Sequence, residues 1–289
     1  MIRQEVLEKL CCPSCGGSTL TLGSKRRPTL ECPDCQAHYP IIDGIPDLVA
    51  PDHTPTPGSY RTETFSNVIA GVYDLVAPVM SVAIWRCSPL HYVDHENRAL
   101  GRAGDGVYLE APIGTAVALA PVLADHHEAL IIGVDKSWNM LEKAKKRLDK
   151  VGAHYQLIRA DYGNLPLKDG SVRSLQSLNG LHGFTDRAAA LAEFRRCLED
   201  GGFFSGSTLV RAQTDVADAF LERYERYGIY PMLRSPEFLL QEVRSSTFGN
   251  VRFETYGAVM FFSGEKPPVT AVNEDELSAQ YTATVKMID

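Results

Sequence analysis

The sequence predicts an α/β fold: one mostly parallel sheet of about seven strands with helices on both faces, preceded by a small cysteine-rich module. Two observations support this. From Gly106 onward, short apolar segments alternate with amphipathic segments, as in β-α-β units. About the first fifty residues instead contain two C-x-x-C pairs and few large apolar side chains. The length of 289 residues fits one large domain plus a small one.

The strands and helices of the alternating region follow from hydrophobic periodicity. Strands are expected at residues 107–110, 129–135, 154–161, 171–179 and 202–210, followed by an antiparallel hairpin over 251–257 and 258–267. Helices are expected at about 62–85, 92–104, 116–125, 137–152, 186–202 and 235–249. Asp186 and Ser235 are the expected N-caps of the last two helices, and Pro236 takes the first helical position.

Four of the seven cysteines form two C-x-x-C pairs, Cys12 with Cys15 and Cys32 with Cys35, separated by sixteen residues. This spacing suits one tetrahedral zinc ion bound by four thiolates. Two disulfides or four buried thiols are the alternatives, but there is no secretion signal and buried thiols would not repeat the spacing. Because so short a segment buries little core, a structural zinc would supply folding energy. The other cysteines are not expected to be ligands: Cys11, Cys87 and Cys197.

The cysteine-rich segment ends in CQAHYPIIDGIPDLV, residues 35–49. Together with the two C-x-x-C pairs, this tail resembles the small zinc ribbon of the tRNA-methyltransferase activators, which is also fused to the N-terminus of rRNA guanine-N1 methyltransferases. The resemblance covers residues 1–49 and implies a zinc-ribbon domain that binds a partner or a substrate. It does not by itself indicate a reaction.

Composition and charge argue against some classes of function. The net charge is −7, which disfavours general nucleic-acid binding because phosphate contacts need clustered lysine and arginine. One basic stretch, SKRRP at residues 24–28, is interpreted as a solvated turn. The longest apolar segment, residues 72–85, is too short to span a membrane and contains Pro78. Because the N-terminus lacks a signal-peptide h-region, a cytoplasmic protein is expected.

Polar residues follow four of the predicted strands, and the carboxyl ends of parallel strands form the ligand cleft. Glu110 ends the first strand and Asp135 the second, where an acidic side chain can accept both ribose hydroxyls of a nucleoside. Asp161 ends the third and Tyr162 follows it; a carboxylate and an aromatic ring can bind an exocyclic amine and cover the face of a purine. NGLHGF, residues 179–184, follows the fourth. Each acid alone suits a helix N-cap, but three in series favour a binding site.

At these strand ends the chain resembles the class I S-adenosylmethionine-dependent methyltransferases, and most the small-molecule type that includes quinone-biosynthesis C-methyltransferases. VDKSWNMLEKAKKRL, residues 134–148, is similar to the family's D-x-S-x-x-M-L-x-x-A segment, and residues 159–204 match the run that follows it. The resemblance covers about residues 62–266 and implies a Rossmann-like sheet that binds S-adenosylmethionine. The cofactor-binding residues that it implies are Glu110, Pro112, Gly114, Asp135, Lys136, Met140, Asp161, Tyr162 and Asn179.

The loop after the first strand, EAPIGTA, departs from the family pattern of acid-x-Gly-x-Gly-x-Gly. Aligned with it, Pro112 and Ala116 replace the first and third glycines, while Glu110 and Gly114 keep the acid and the second glycine. Proline fixes φ at about −65° and removes one N–H donor. S-adenosylmethionine has no phosphates, so the loop need only approach its amino acid and ribose. We therefore expect cofactor binding to persist with altered affinity.

Methyl transfer depends mainly on positioning, and needs a base only for a poorly nucleophilic acceptor. His182, in the loop after the fourth strand, is the candidate base; the alternative is a loop histidine hydrogen-bonded to backbone. Tyr73 lies in the helix that covers the cleft in this family, and either contacts substrate or packs. The insertion at about residues 212–234 resembles a substrate lid. Its tyrosines either line an aromatic pocket or hold the lid to the sheet: Tyr224, Tyr227 and Tyr230.

Three functions remain open from the sequence. The first is a methyltransferase for a small aromatic or apolar metabolite, supported by the cofactor residues, the acidic charge and the aromatic lid. The second is an rRNA or tRNA base methyltransferase that docks RNA through the ribbon; the net charge opposes it, and no N-P-P-Y or D-P-P-Y motif follows the fourth strand. The third reuses the fold for a non-methylating reaction or for binding, with the altered loop as its trace.

The predicted domain organisation combines these segments. A zinc ribbon occupies residues 1–49, a proline-rich linker 50–61, and a methyltransferase domain 62–266, with a tail over 267–289. The sequence does not reveal the acceptor atom, the oligomeric state or a partner of the ribbon.

Overall fold

A computed structural model describes residues 2–23, 28–50, 73–211, 213–229 and 234–268. The predicted linker, most of the predicted tail, the basic residues 24–27 and Tyr230 lie outside the described residues. The described chain forms a small four-stranded sheet and a larger seven-stranded sheet. The domain limits given above stay a prediction.

The N-terminal module is built around the small sheet, which is antiparallel throughout. After a short helix, α1 (Gln4–Leu7), the strands follow in the order β1-β2-β3-β4. Their bounds are Thr21–Leu22, Thr29–Glu31, His38–Ile42 and Ile45–Pro46. Leu30 lies opposite Tyr39 across β2 and β3, and both side chains are buried in one core cluster with Cys12 and Cys32. The small core therefore adjoins the cysteine pairs.

The seven strands of the large sheet are β5 (Val107–Glu110), β6 (Leu130–Asp135), β7 (Tyr155–Arg159), β8 (Val172–Ser177), β9 (Leu198–Leu209), β10 (Gly249–Tyr256) and β11 (Val259–Glu265). They are hydrogen-bonded in the order β10-β11-β9-β8-β5-β6-β7. β5 to β9 are parallel, and β11 is antiparallel to both β9 and β10. The predicted mostly parallel sheet is confirmed. Its strand order reverses between β5 and β8, where a ligand cleft is expected.

Helices cover both faces of this sheet. They are α2 (Tyr73–Ala83), α3 (Pro89–Ala103), α4 (Trp138–Lys150), α5 (Arg187–Cys197), α6 (Asp215–Arg226) and α7 (Pro236–Ser245). On β5, Tyr108 packs in one core cluster with Ala99 of α3 and Leu141 of α4. The next residue, Leu109, packs in the other cluster with Leu191 of α5. Successive strand residues thus point to two helical layers, as the sequence predicts.

The starts of α5 and α7 agree with the sequence prediction, whereas the end of α5 does not. Asp186 and Ser235 are the N-caps, and each side chain accepts a hydrogen bond from the backbone N–H three residues later. The helix predicted over 186–202 ends at Cys197. The next residue, Leu198, is extended and already belongs to β9 because it is buried and pairs with β8.

The helix predicted over residues 116–125 is wrong. Only a 3-10 helix forms there, at Ala120–Asp125. Gly114 and Ala116 both adopt the left-handed backbone region, with φ of 53° and 54°, and so the chain cannot enter an α-helix directly after β5. The loop that follows β5 is therefore longer than expected.

The N-terminal module packs on the β7 edge of the large sheet. Leu48 N donates to Arg159 O (2.8 Å), and Asp47 forms a parallel bridge with the same residue. The Arg159 guanidinium donates to both carboxylate oxygens of Asp47, at 3.1 and 3.0 Å. Leu10 pairs with Leu167, and both belong to the core cluster that continues under the sheet. The module thereby covers an edge strand and shares its core with the large domain.

Because the Asp47–Arg159 pair is partly buried, neutralising it is expected to reduce stability. Asp47→Asn should lower the free energy of unfolding by about 1–2 kcal/mol, since the guanidinium loses its charged partner. Urea unfolding followed by circular dichroism measures this. Glu128→Gln, at an exposed carboxylate, is the control and should stay within about 0.5 kcal/mol of wild type. Equal stability of the two variants would show that the ion pair does not stabilise the packing of the N-terminal module on the large sheet.

Candidate active site and zinc centre

Four cysteine thiols converge in the N-terminal module. The sulfurs of Cys12, Cys15, Cys32 and Cys35 all lie within 4.8 Å of one another. Cys12 Sγ lies 3.6 Å from Cys35 Sγ, and Cys15 Sγ lies 3.6 Å from Cys32 Sγ. A tetrahedral zinc ion with bonds of about 2.3 Å to each thiolate needs sulfurs about 3.7 Å apart. The four thiols therefore fit one structural zinc.

The two C-x-x-C turns have the same backbone form. Gly16 N donates to Cys12 O (2.8 Å), and Gln36 N donates to Cys32 O (2.9 Å). Gly16 and Gln36 both have positive φ, at 74° and 62°, which closes each turn. The Tyr39 hydroxyl lies 3.1 Å from Cys12 Sγ and steadies that thiol. Two matched turns thus present two thiols each to one point, as the spacing predicts.

The remaining cysteines lie elsewhere. Cys11 N donates to Pro166 O (3.1 Å), and its sulfur lies 4.0 Å from Leu165 O, on the large-domain side. Cys87 and Cys197 are buried among apolar side chains of two core clusters. The thiol group that fits zinc contains Cys12 and not Cys11, in agreement with the knuckle spacing.

Asp135 joins the end of β6 to the loop after β5. Its Oδ2 accepts a hydrogen bond from Gly114 N (2.9 Å), and its Oδ1 accepts one from Ser137 N (2.9 Å). The side chain is only 5% exposed. Burial raises the pKa of Asp135 to about 6, although both amide hydrogen bonds favour the carboxylate. The arrangement places an acceptor beside an open loop, as a nucleoside site requires.

The residues after β7 close one side of the same cleft. Lys136 N donates to the Tyr162 hydroxyl (3.2 Å), and Lys136 Nζ lies 2.6 Å from Asp161 Oδ2. The Tyr162 ring lies 4.8 Å, centroid to centroid, from Phe184 in the loop after β8. Burial holds the pKa of Tyr162 well above its usual range, so its hydroxyl stays protonated. The ends of β6, β7 and β8 are thus linked through one aromatic side chain.

The altered loop after β5 lies against the loop after β8. A Cβ added to Gly180 would come within 2.7 Å of Pro112 Cδ, so the two loops touch. A Cβ added to Gly114 would meet no atom of the described residues within 4 Å, so these residues leave open space beside that glycine. The proline thus closes the loop against its neighbour, while Gly114 keeps a free approach for a ligand.

Glu110, at the end of β5, is buried against a second carboxyl that the sequence analysis missed. Glu96 on α3 is fully buried on the face of β5 from which Tyr108 and Glu110 both project, and the Glu96 and Glu110 carboxyls shift each other's pKa. The Tyr108 hydroxyl donates to Glu96 Oε2. Burial raises the pKa of Glu96 to about 7 and holds that of Glu110 well above its usual range. Two acidic side chains therefore share one buried site.

Met140 and Asn179 complete the set of predicted cofactor residues. Met140 is buried in the first turn of α4, where its N–H donates to Ser137 Oγ (3.3 Å). Asn179 has a positive φ of 51°, and its N–H donates to Ser207 Oγ (3.0 Å). The Tyr92 hydroxyl donates to Asn179 Oδ1 (3.5 Å). All nine predicted cofactor residues therefore lie at the carboxyl ends of β5 to β8, as the last residue of a strand, in the loop that follows it, or in a first helical turn.

His182 lies in a 3-10 helix, Leu181–Gly183, after β8 and is buried. Its Nδ1 accepts a hydrogen bond from Leu209 N (3.2 Å) and lies 3.3 Å from Thr208 Oγ1. Burial, with a contribution from Arg187, lowers the pKa of His182 to about 3. When Nδ1 accepts, Nε2 carries the ring proton. The contacts favour the hydrogen-bonded loop histidine, and a role as base stays a prediction.

Aromatic side chains gather between α2, α6 and β11. The Trp85 ring lies 6.3 Å from that of Phe220 and 6.4 Å from that of Tyr224, centroid to centroid. Tyr227 is 55% exposed. Tyr224 thus packs in the aromatic cluster, whereas Tyr227 faces solvent. Tyr73 begins α2, but its side chain lies outside the described part of the chain.

Comparison with known proteins identifies the large domain. The family model "Methyltransferase domain" matches residues 109–205, and "Trm112p-like protein" matches residues 3–44. The ubiquinone/menaquinone biosynthesis C-methyltransferase UbiE of Desulfotalea psychrophila is 30% identical over 177 residues, which are 59% of this chain and 67% of that protein. The chain belongs to the class I S-adenosylmethionine-dependent methyltransferases. This methyltransferase uses S-adenosylmethionine, and its N-terminal ribbon is Trm112-like.

One further relative and one solved structure are also similar to this methyltransferase. UbiE of Syntrophotalea carbinolica is 32% identical over 137 residues, 46% of this chain and 55% of that relative, so the match spans about half of the relative's length. A solved complex of the Haloferax volcanii Trm112 methyltransferase activator with a methyltransferase has a TM-score of 0.54 and 20% identity, covering 70% of this chain and 98% of the other. That likeness supports the fold. No helix in the described part of the methyltransferase has the length and hydropathy of a membrane span.

Proposed function

We propose that this methyltransferase methylates a small aromatic or apolar metabolite, and that S-adenosylmethionine binds across the carboxyl ends of β5, β6 and β7. One observation supports this placement above the others. The buried Asp135 carboxylate accepts a hydrogen bond from the Gly114 N–H, and the described residues leave open space beside that glycine. Such an acid can accept the hydroxyls of a ribose. The cofactor supplies a methyl group on a sulfonium, and the protein orients it and excludes water.

The other residues of the cleft take complementary roles in this proposal. Glu110 faces the amino-acid end of the cofactor, because Glu110 Oε2 is buried and no residue in the described part of the chain donates a hydrogen bond to it. Asp161 and Tyr162 cover the adenine side, and Lys136 holds Asp161 in place. Pro112, Met140 and Asn179 line the remaining walls of the cleft. An unsatisfied carboxylate oxygen and an open glycine are features that a cationic nucleoside ligand would satisfy.

The substrate class is inferred from the surface beside the cleft. Leu75, Val79 and Val82 form an exposed apolar stripe on α2, and Leu75 is 76% exposed. The same helix is tied to the loop after β5, because Thr115 Oγ1 donates to Asp74 Oδ1 (2.6 Å). Exposed apolar patches mark ligand grooves or contacts with a protein or a membrane, and the position of this one beside the cleft favours a ligand. The relatives from Desulfotalea and Syntrophotalea are named as methyltransferases of ubiquinone and menaquinone synthesis, which supports the same class.

Catalysis in this proposal depends on positioning. A hydroxylated aromatic ring is a good carbon nucleophile once its hydroxyl is deprotonated, so a base close to the ring would help. His182 and Tyr73 remain the candidates for that contact, and the buried, hydrogen-bonded His182 is the weaker one.

The test is methyl transfer to a panel of acceptors. Zinc-loaded protein is incubated with S-adenosylmethionine and hydroxylated aromatics, including hydroquinones with and without an isoprenoid tail, and products are identified by mass spectrometry. We expect methylation of at least one aromatic acceptor. Methylation of transfer or ribosomal RNA alone would overturn the proposal in favour of the RNA enzyme, as would salt-dependent retention on heparin with no aromatic product.

A further inference from the structure

A pair of buried carboxyls lies beneath the proposed cofactor cleft. Glu110 ends β5 and is 3% exposed, and Glu96 on α3 is 0% exposed. Tyr108, two residues before Glu110 on the same face of β5, donates to Glu96, and each of the two carboxyls shifts the pKa of the other. Glu96 Oε1 and Glu110 Oε2 are both buried, and no described residue donates a hydrogen bond to either oxygen. Two carboxylates cannot donate to each other, so an orphan oxygen on each points to a missing proton or a missing cation.

The surroundings of the pair are acidic or neutral. Tyr108 on β5 donates to Glu96, and Asp135 on β6 adds a second negative charge near Glu110. Gln176 of β8 lies opposite Glu110 in the sheet register. Among the described residues, none of the groups that shift the pKa of Glu96 or Glu110 is a cation. Burial and mutual repulsion therefore leave the pair with a proton at neutral pH.

We propose that Glu96 and Glu110 form a proton-exchange site, which holds one shared proton in the free enzyme and gives it up when the ammonium group of the cofactor's amino-acid end binds at Glu110. The inference rests on the proposed placement of the cofactor against Glu110. Glu96 acts through Glu110 and is a positioning residue. The exchange balances in charge: one proton leaves to solvent, one ammonium cation takes its place, and no covalent bond forms or breaks.

The exchange predicts how affinity depends on pH. Below the pKa of the pair, binding has to displace a proton, so affinity should rise with pH by up to about tenfold per pH unit. Above it the pair is already ionised and the dependence should vanish. Glu96→Gln removes the exchangeable proton but keeps the contacts, because the Gln carbonyl can accept from Tyr108 and its NH2 can donate to Glu110.

Calorimetric titration with S-adenosylhomocysteine tests the inference directly. Titrations of zinc-loaded enzyme at pH 7.5 in phosphate and in Tris, which differ in ionisation enthalpy, count the protons exchanged. We expect wild type to release about one proton per ligand. Glu96→Gln should release close to none and bind with a dissociation constant that changes little between pH 6.5 and 8.

A second ligand separates the pair from Asp135. 5′-Methylthioadenosine carries the same nucleoside without the amino acid, so any proton that it releases belongs to Asp135 or its neighbours. We expect the release with S-adenosylhomocysteine to exceed that with methylthioadenosine by about one proton.

The outcomes distinguish this inference from the function on which it rests. If wild type binds neither ligand, the proposed cofactor placement fails. If wild type binds S-adenosylhomocysteine with no more proton release than methylthioadenosine, the placement stands and the exchange is overturned. Equal release from wild type and Glu96→Gln would also overturn it. The wild-type measurement alone decides the main point should Glu96→Gln fold poorly.

Discussion

Cys32→Ser is expected to remove zinc and to destabilise the whole described fold, not the N-terminal module alone. Loss of one of four thiolates weakens a structural zinc site whose binding energy is also folding energy. We expect the free energy of unfolding to fall by about 3–5 kcal/mol and the Tm to fall by roughly 10 °C. Thermal unfolding by circular dichroism, with zinc content from atomic absorption, measures both.

The size of this effect follows from the shared core. Leu10, Leu30 and Tyr39 of the module are fully buried in the same cluster as Ile158 and Leu167 of the large domain. Cys32 itself is 1% exposed within that cluster. If the zinc site opens, the module loses its own sheet and the β7 edge loses its cover. Apolar surface is then exposed on both sides of one interface.

Cys11→Ser is the matched control. Cys11 adjoins Cys12 in the sequence but lies outside the group of four thiols. This variant should retain one zinc per chain and a Tm close to that of wild type. Loss of zinc from Cys11→Ser, or full stability of zinc-free Cys32→Ser, would contradict the four-thiol site and its role in the common core.

Local sequence patterns were enough to predict the large sheet. The parallel strands are apolar, and amphipathic segments follow β6, β8 and β9, and so the number of strands and the antiparallel last pair could be predicted. The absence of an α-helix over 116–125 could not be predicted, because these residues have a helical pattern, whereas the backbone of the loop before them adopts the left-handed region. The loop imposes the left-handed φ of Ala116, and the residue type does not predict it, since alanine favours helices.

The site was predicted in part for the same reason. Asp135, Asp161 and Tyr162 follow strands directly, so the rule that ligands bind at strand ends selects them. Glu96 escapes that rule because it lies on a helix. It takes a core position, at i, i+3, i+4 with buried Ala99 and Leu100, where an apolar residue is expected. A glutamate at a helix position where an apolar residue is expected was the signal in the sequence that could have identified Glu96 as a functional candidate.

The position of the ribbon on the large sheet could not be predicted from the sequence and is seen only in the structure. Asp47 and Arg159 are more than a hundred positions apart, and neither lies in a motif that predicts the other as its partner. The sequence marks the ribbon and the sheet as separate units, but periodicity does not say which strand edge the ribbon covers. The pairing of Leu48 with β7 and the shared core decide it.

Asp135→Asn is expected to weaken binding of S-adenosylhomocysteine about 100-fold, under the cofactor placement that we propose. The carboxylate accepts from Gly114 N and Ser137 N with separate oxygens, and an asparagine can offer an oxygen to only one of them. Its NH2 group would face a backbone N–H or a ribose hydroxyl. Loss of a charged acceptor in a buried site costs about 2–3 kcal/mol, which corresponds to that factor. Calorimetric titration measures it.

The pH dependence of wild type gives an independent check on the same residue. Because burial raises the pKa of Asp135 to about 6, the carboxylate gains a proton as the pH falls through 6. The protonated acid accepts hydrogen bonds less well, so affinity for the nucleoside 5′-methylthioadenosine should fall below pH 6 and level off above pH 7. The stability of the fold depends on pH in the opposite direction from the affinity. A carboxyl with a raised folded pKa favours the folded state at low pH, and that contribution is lost as the pH rises from about 4 to 6.

Asp105→Asn is the matched control, because Asp105 lies just before β5 with its side chain 89% exposed. This variant should bind S-adenosylhomocysteine as wild type does at every pH. The Asp135→Asn variant has to be shown folded first, by a cooperative thermal transition. Undiminished affinity in that folded variant would mean that the nucleoside does not lie at the end of β6. The cofactor would then have to contact other groups around the altered loop, and the open space beside Gly114 would need another occupant.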